Sequence, residues 1–545
     1  MTLLGIIQDK QLLISDIIRY AETYHPDREI SWIDEYGALH KSNYGSAAKR
    51  ARKIANLLAE WGIKRGDRVA TMAMNNIDHF ELFYGVSGYG AVLHTVNPKL
   101  HEDQIVYICN HAKDRVLFFD AQFIPLVGRL ASRLTSIERY VAIGNIDAYR
   151  GEPPEIAVTD FEYELSEADP EFDWPEFDER SASTLCYTSG TTGNPKGVLY
   201  SHRSTLLHAM AAAQNSAMGL SCHDAILPIA PMFHVNGWSM PYIAPMLGAK
   251  LVLPGPRVDA QVLLDLIKAE EVTFAAGVPT VFVTLLELTD RLGEGLGALK
   301  KVLIGGTAVS PSMIETLSEK YNCEVLQMWG MTELGPLGTM STTTHKVSQL
   351  LKTEKQGYLN KQGRVQFGLD LKVVDESGTA LPHDGKSSGA LFVKGLWAAA
   401  GYYKEKENPV DEDGWLPTGD IASIDDHGFL KITDRAKDVV KSGGEWISSV
   451  DLEGVAYSCP GVKYAAVVGV KHPKWDERPI LIVVTQEDAC LTKENVIDYL
   501  RDRVVKWWLP DDVIFLDEMP LTPTGKIRKQ ILRDQFSDHL SRLSA

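Results

Sequence analysis

The sequence predicts an α/β protein: a large N-terminal α/β body made of several subdomains, followed by a small α+β C-terminal domain. Three observations predict it. Short apolar runs of strand composition alternate with amphipathic stretches of helical spacing from Leu12 to beyond residue 400. The 545-residue length is more than one core normally serves. Around Gly419 to Lys441 the pattern changes to short strands and turns, and the remainder is a set of about 110 residues, close to the common domain size. The boundary is placed near Asp434, giving domains 1–434 and 435–545.

Leu12 to Tyr24 and Tyr44 to Trp61 have helical spacing, the latter through Ala47, Ala48, Ile54, Ala55, Leu57 and Leu58, with Gly62 as its stop. Gly66 to Met74 reads as a buried strand, Asn75 to Tyr89 as a helix and Ala91 to Pro98 as a strand, which suggests a largely parallel sheet. Ser183 to Thr188 and Gly197 to Ser201 are strand-like, and Ser201 can cap a helix starting near Arg203. Alternation continues at Lys250 to Val252, Thr273 to Ala276 and Lys301 to Ile304. In the C-terminal part, helices are expected near Ser449 to Tyr457 and Lys493 to Val504, with strands at Tyr464 to Val470 and Ile480 to Thr485.

Composition is ordinary for a globular chain, with 45% hydrophobic and 23% charged residues. The net charge of −17 is concentrated: Gly151 to Arg180 holds twelve acids against one arginine. Aromatic residues interleave with those acids, so the segment is expected to pin its rings to the body. No basic stripe points to nucleic acid. Six scattered cysteines without a C-x-x-C pair suggest neither zinc nor a disulfide framework and fit a reducing compartment. Neither a signal peptide, a membrane span nor a peroxisomal C-terminus is recognisable, so a cytoplasmic setting is expected.

Five stretches carry chemistry. Tyr187 to Val198 (YTSGTTGNPKGV) combines three glycines, hydroxyl side chains and Lys196, a composition suited to wrapping phosphate, although the spacing is not that of a Walker A loop. Gln327 to Pro336 (QMWGMTELGP) reads as a loop after a strand, where open α/β sheets bind ligands. There Trp329 could stack on a purine, Thr332 donate to a phosphate and Glu333 hold magnesium. Trp415 to Asp420 (WLPTGD) offers a carboxylate at a turn. Asp434 to Trp446 places Arg435 at the domain junction and a Lys-Ser-Gly-Gly loop after it, and Pro520 to Lys529 (PLTPTGKIRK) presents Lys526. Taken alone, the first reads equally well as a surface turn, while the second and the fifth read better as an ordinary loop and a solvated basic turn.

Together, in this order, the five stretches resemble the adenylate-forming superfamily of acyl-CoA synthetases, peptide-synthetase adenylation domains and luciferases, over nearly the whole chain. PMFHVNGWSMPY (Pro231 to Tyr242) and KSGGEWISSVDLE (Lys441 to Glu453) look most like bacterial fatty acyl-CoA synthetases and 3-methylmercaptopropionate-CoA ligases. One departure is Trp329, where that superfamily usually has tyrosine.

The resemblance implies a two-step ligase using ATP, Mg²⁺ and CoA. A carboxylate attacks ATP to give an acyl-adenylate and pyrophosphate, and CoA then displaces AMP. By similarity, Thr188, Ser189, Gly190, Thr191, Thr192, Gly193 and Lys196 hold the β- and γ-phosphates. Gly306, Thr307, Met328, Trp329, Gly330 and Met331 surround the adenine. Thr332 touches the α-phosphate, Glu333 the metal, and Asp420 and Arg435 the ribose. Lys526 bridges the two anions that must react. His234, Gly237, Trp238, Gly305 and Gly306 line the acyl pocket, while Lys441, Gly443, Gly444 and Trp446 serve the CoA step. Lys437 matches the hinge, near 435–437, about which the small domain turns between steps. His234 stands where amino-acid-activating relatives carry an aspartate, so no amine is expected on the acid. Trp238 favours a short or medium acid, 3-methylmercaptopropionate among them. A long-chain synthetase and a luciferase-like oxygenase are the alternatives. The implied partners are small molecules only, and a homodimer stays open.

Overall fold

The computed structural model describes residues 5–144, 146, 156–188, 194–307, 309–442, 445–486, 489–522 and 526–543. Two large sheets and one small one organise them. The first has seven strands, in spatial order Val158–Asp160, Arg139–Ile143, Asp114–Asp120, Arg68–Met72, Val92–Thr95, Ala182–Tyr187 and Gly197–Ser201. It is parallel until the last pair, which runs antiparallel. That pair consists of strands consecutive in the chain. Where the pair ends, Thr188 N–H donates to Lys196 O at 2.9 Å and Lys196 N–H to Thr188 Oγ1 at 3.2 Å.

The second sheet has thirteen strands. Glu29–Ile33, Lys250–Leu253, Ala225–Pro228, Phe274–Gly277, Lys301–Gly305 and Glu324–Gly330 form its parallel part. From Leu337–Met340 to Phe429–Arg435 the pairing is antiparallel. The expectation of a largely parallel sheet therefore holds for the first sheet and half of the second. Beyond Gly330 consecutive strands turn back on one another, most tightly at Asp425–Phe429, where Asp425 N–H donates to Phe429 O at 3.1 Å between Leu416–Ile424 and Phe429–Arg435.

The two large sheets share a core. Helix Ile77–Tyr89 is buried on every side except its last residue, and its buried Asp78 and Glu81 carboxylates pair with Arg50 at 3.0 Å and 2.6 Å. Its N-cap is Asn76, whose side chain accepts from His79 N–H. Gly85 lets it meet helix Tyr44–Glu60 closely, since a Cβ there would lie 2.5 Å from Ile54. The acidic segment does pin its rings: Trp174 covers Gly88, Phe172 lies 6.1 Å from Tyr89, and Phe177 meets His202 edge-on at 4.9 Å. Tyr163 is the exception and stays exposed. Ser201 caps helix His202–Ala213 as expected.

The third sheet has five strands. Val462–His472 and Asp476–Thr485 form a long hairpin, joined by Val440–Ser442, Glu445–Ile447 and Asp512–Phe515. Helices Ser449–Tyr457 and Lys493–Arg501 pack on it around Leu452, Ala456, Val496 and Leu500. Phe429–Arg435 is thus the last strand of the large sheet in sequence, and Val440–Ser442 the first of the small one. Among the described residues no helix is long and apolar enough to cross a membrane.

Candidate active site

The predicted residues gather where the parallel strands of the second sheet end. Strand Lys301–Gly305 delivers Gly305 and Gly306, and strand Glu324–Gly330 delivers Met328, Trp329 and Gly330. This corrects one sequence expectation: Gln327 to Gly330 are ladder residues, Gln327 and Met328 paired with Ile304 and Gly305 on one side, and Met328 to Gly330 with Leu337–Met340 on the other. The loop begins only at Met331. Trp329 is consequently buried, its six-membered ring lies over Gly338, and its indole N–H donates to Asp420 Oδ2 at 2.8 Å. The same carboxylate takes Arg435 Nε at 2.8 Å. Burial raises the Asp420 carboxyl above its usual range, with Arg435 and Trp329 opposing the shift.

Lys526 enters this group from the far end of the chain. Gly306 has φ +91°, and a Cβ built on it would sit 3.2 Å from Lys526 Cε. Glycine is therefore required twice, once for the backbone and once for the lysine stem. The backbone of Lys526 is held by Thr522: its N–H donates to Thr522 Oγ1 at 2.9 Å, and Thr522 N–H to its carbonyl at 2.6 Å. Burial lowers the Lys526 ammonium to about 8, assisted by Arg435 and opposed by Asp420. His234 is lowered to about 3 by burial and by Lys526, so it offers a neutral imidazole. Thr307 lies exposed beside Gly306.

The segment after His234 is unusual. Val235, Asn236, Gly237, Trp238 and Ser239 all have positive φ, a left-handed turn rarely adopted by residues with a Cβ. Buried side chains hold it. Asn236 donates to Thr184 Oγ1 at 2.7 Å and accepts from Thr95 Oγ1 at 3.0 Å. His208 Nε2 accepts from Leu337 N–H at 2.9 Å, which leaves Nδ1–H to donate to Ser239 Oγ at 2.7 Å. The turn points Trp238 at Gly305, with Cη2 3.3 Å from a Cβ built there. Gly237 is crowded by Met232 and Pro241.

Thr332 and Glu333 lie in a short 3-10 turn, both buried. The Thr332 carbonyl accepts from the Tyr200 hydroxyl. Glu333 Oε1 accepts from the Tyr402 hydroxyl at 2.6 Å, and Lys196 Nζ stands 4.8 Å above the ring of that same tyrosine. Tyr402 was not apparent from the sequence, where it is one of two tyrosines in an alanine-rich turn. Among the described residues no group of three or more His, Cys, Asp or Glu could hold a metal. A lone carboxylate with a lysine nearby does suit Mg²⁺ bound with a phosphate substrate, since Mg²⁺ takes one or two carboxylates and completes its shell with water and substrate phosphates.

Not every predicted residue joins this cluster. Ser189, Gly190, Thr191, Thr192, Gly193, Gly443 and Gly444 lie outside the described residues. Lys441 pairs in register with Trp446 in the small sheet, and its N–H donates to Glu477 Oε2 at 3.0 Å. Among the described residues no hydrogen bond or ion pair links Lys441 to Lys526, Asp420 or Glu333. Lys437 is exposed between the two sheets, and its carbonyl accepts from Arg533 at 2.9 Å.

A body built on two large α/β sheets, with polar groups gathered at the strand ends of one and met there by a lysine from the C-terminal segment, defines a class. The chain belongs to the AMP-binding enzyme family: the match spans residues 19–403, and the family's C-terminal domain matches residues 451–526.

Particular relatives narrow this further. The chain is 45% identical to the 3-methylmercaptopropionyl-CoA ligase of Ruegeria lacuscaerulensis, over 99% of this chain and 100% of that one. It is 44% identical to the medium-chain-fatty-acid–CoA ligase of Ectopseudomonas oleovorans, over 100% and 99%. Its fold matches a crystal structure of an anthranilate CoA ligase in complex with anthranoyl-AMP, with a TM-score of 0.86 at 22% identity, covering 98% of each chain.

Proposed function

We propose that this chain activates a short- or medium-chain carboxylic acid, with 3-methylmercaptopropionate as the leading candidate. The chain is an AMP-forming acyl-CoA ligase, joining acid to thiol with cleavage of ATP. The observation that carries the proposed acid is Trp238, buried and turned onto Gly305, where its ring shortens the space beside the reacting carboxylate. Neutral His234 at the same place supports an acid without an amine.

The residues divide the work as follows. Lys526 stands between the acid's carboxylate and the α-phosphate and offsets their repulsion as they approach. Asp420 and Arg435 hold the ribose, while Gly306, Thr307, Met328 and Trp329 frame the adenine. Trp329 serves there as a fixed wall tied to Asp420 rather than as a free stacking ring. Lys196, with Thr188 and its loop, takes the leaving pyrophosphate, and Thr332 orients the α-phosphate. Glu333 would hold Mg²⁺, which supplies neutralisation of phosphate charge when bound. After adenylation, a turn of the domain 435–545 about 435–437 withdraws Lys526 and brings Lys441 and Trp446 to the adenylate for attack by CoA. A cytoplasmic setting and a homodimer belong to the same proposal.

The test is ATP–pyrophosphate exchange over straight-chain acids from two to sixteen carbons plus 3-methylmercaptopropionate, followed by thioester assay with CoA. The highest kcat/KM is expected among the shorter acids. Lys526→Ala is expected to abolish exchange while preformed acyl-adenylate still reacts with CoA. Equal loss of both steps would remove Lys526 from its role, and a maximum at sixteen carbons would remove the short acid.

A further inference from the structure

Lys196 and Glu333 flank the same tyrosine, yet among the described residues they form no ion pair. Tyr402 stands between them. Its ring face receives the Lys196 ammonium at 4.8 Å, and its hydroxyl donates to Glu333 Oε1 at 2.6 Å. Glu333 Oε2 takes no hydrogen bond among the described residues. The backbone around Tyr402 is fastened to both elements it connects. Ala399 N–H donates to Glu333 O at 2.8 Å, and Tyr403 N–H donates to Gly197 O at 2.8 Å, next to Lys196. Behind the ring lie Cys186, Val198 and Tyr200.

We propose that Tyr402 is a positioning residue for ATP and its metal ion: its hydroxyl fixes the Glu333 carboxylate so that Oε2 alone is presented to the cation, and its ring holds Lys196 apart from that carboxylate. Two charges that paired directly would have to be separated each time nucleotide entered. With an aromatic spacer neither is spent on the other. The inference rests on the reading of Glu333 as the metal carboxylate.

The two halves of the side chain are separable. Tyr402→Phe keeps the ring and removes the hydroxyl; Tyr402→Leu removes both. The probe is Mn²⁺ bound in the presence of α,β-methylene ATP, followed by electron paramagnetic resonance on the full-length protein. Removing an oriented partner of a metal ligand typically costs 10- to 100-fold in affinity, so Tyr402→Phe is expected to weaken Mn²⁺ binding about tenfold. Its KM for ATP at saturating Mg²⁺ should stay within about twofold, because the cation–π contact remains. Tyr402→Leu should raise that KM about fivefold in addition. Thioester formation from preformed acyl-adenylate and CoA should be unchanged in both, as should Tm. Wild-type Mn²⁺ affinity in Tyr402→Phe, with binding lost in Glu333→Gln, overturns the role of Tyr402 alone. Unchanged binding in both variants removes Glu333 from the metal and this proposal with it. A lowered Tm with equal loss of both half-reactions would make Tyr402 a packing residue.

Discussion

Lys526 is held where its charge is disfavoured, lowered to about 8 by burial and by Arg435. A lysine whose folded pKa lies below its unfolded value destabilises the fold while both states are protonated, and that cost fades as pH rises from about 8 toward 10.5. Lys526→Met is therefore expected to raise Tm at pH 7, with the gain shrinking through pH 8 to 10, as thermal melts across that range would record. The exchange reaction of the wild type should fall through the same window, because the neutral amine no longer offsets two anions. The charged members of the site were legible from sequence because Lys196, Glu333, Asp420 and Lys526 each sit beside glycine or threonine in a stretch with no other obvious purpose. Tyr402 was not, because a tyrosine in a turn carries no chemical signal until folding brings residues 196, 333 and 402 together. Trp329 was read as a loop residue because its strand continues past the apolar run that announces it.

At the scale of elements, the left-handed turn Val235–Ser239 is the costliest piece of backbone in the site. Its four non-glycine residues each disfavour that conformation by about 1–2 kcal/mol. The Asn236 bonds to Thr95 and Thr184 tie it to the first sheet, and the Ser239–His208–Leu337 chain ties it to the second. Asn-Gly in the sequence signals a turn, but not a run of five positive φ angles, which depends on partners far away in the chain. The turn's product is the aim of Trp238. Trp238→Ala is expected to shift the ratio of kcat/KM toward eight- and ten-carbon acids over three- and four-carbon ones by about tenfold, because emptying the space over Gly305 admits more methylenes, each worth about 0.8 kcal/mol. An unchanged chain-length profile would leave Trp238 as core packing.

For the whole molecule, the question is what holds the small sheet in this arrangement. Lys431 pairs with Asp451 at 2.8 Å, Ser448 donates to the Thr433 carbonyl, and Asp434 Oδ2 accepts from Ser449 N–H at 2.7 Å at the start of helix Ser449–Tyr457. Asp434 thus terminates one sheet and satisfies a helix of the next unit. Loss of such a contact costs about 1–2 kcal/mol, so Asp434→Ala is expected to slow ATP–pyrophosphate exchange by about tenfold and leave thioester formation from preformed adenylate unslowed. Stopped-flow assays of the separate steps would check this, and equal slowing of both would show that the contact does not favour one arrangement. The change of composition near Asp434 lies close to the point where the chain passes from Phe429–Arg435 of the large sheet to Val440–Ser442 of the small one. The antiparallel half of the large sheet was not legible in the sequence, since its short strands lack the alternation of a long ladder.

The close fit of Lys526 over Gly306 also bears on stoichiometry. An acyl-adenylate is a mixed anhydride open to hydrolysis by water, and the Lys526 stem, which we propose aligns the carboxylate, also roofs the space directly above Gly306. A side chain at residue 306 would lift that roof and turn the ligase into a slow ATPase, releasing AMP without thioester. On that reading, the absence of a methyl group on one backbone atom sets how many molecules of ATP each molecule of product consumes.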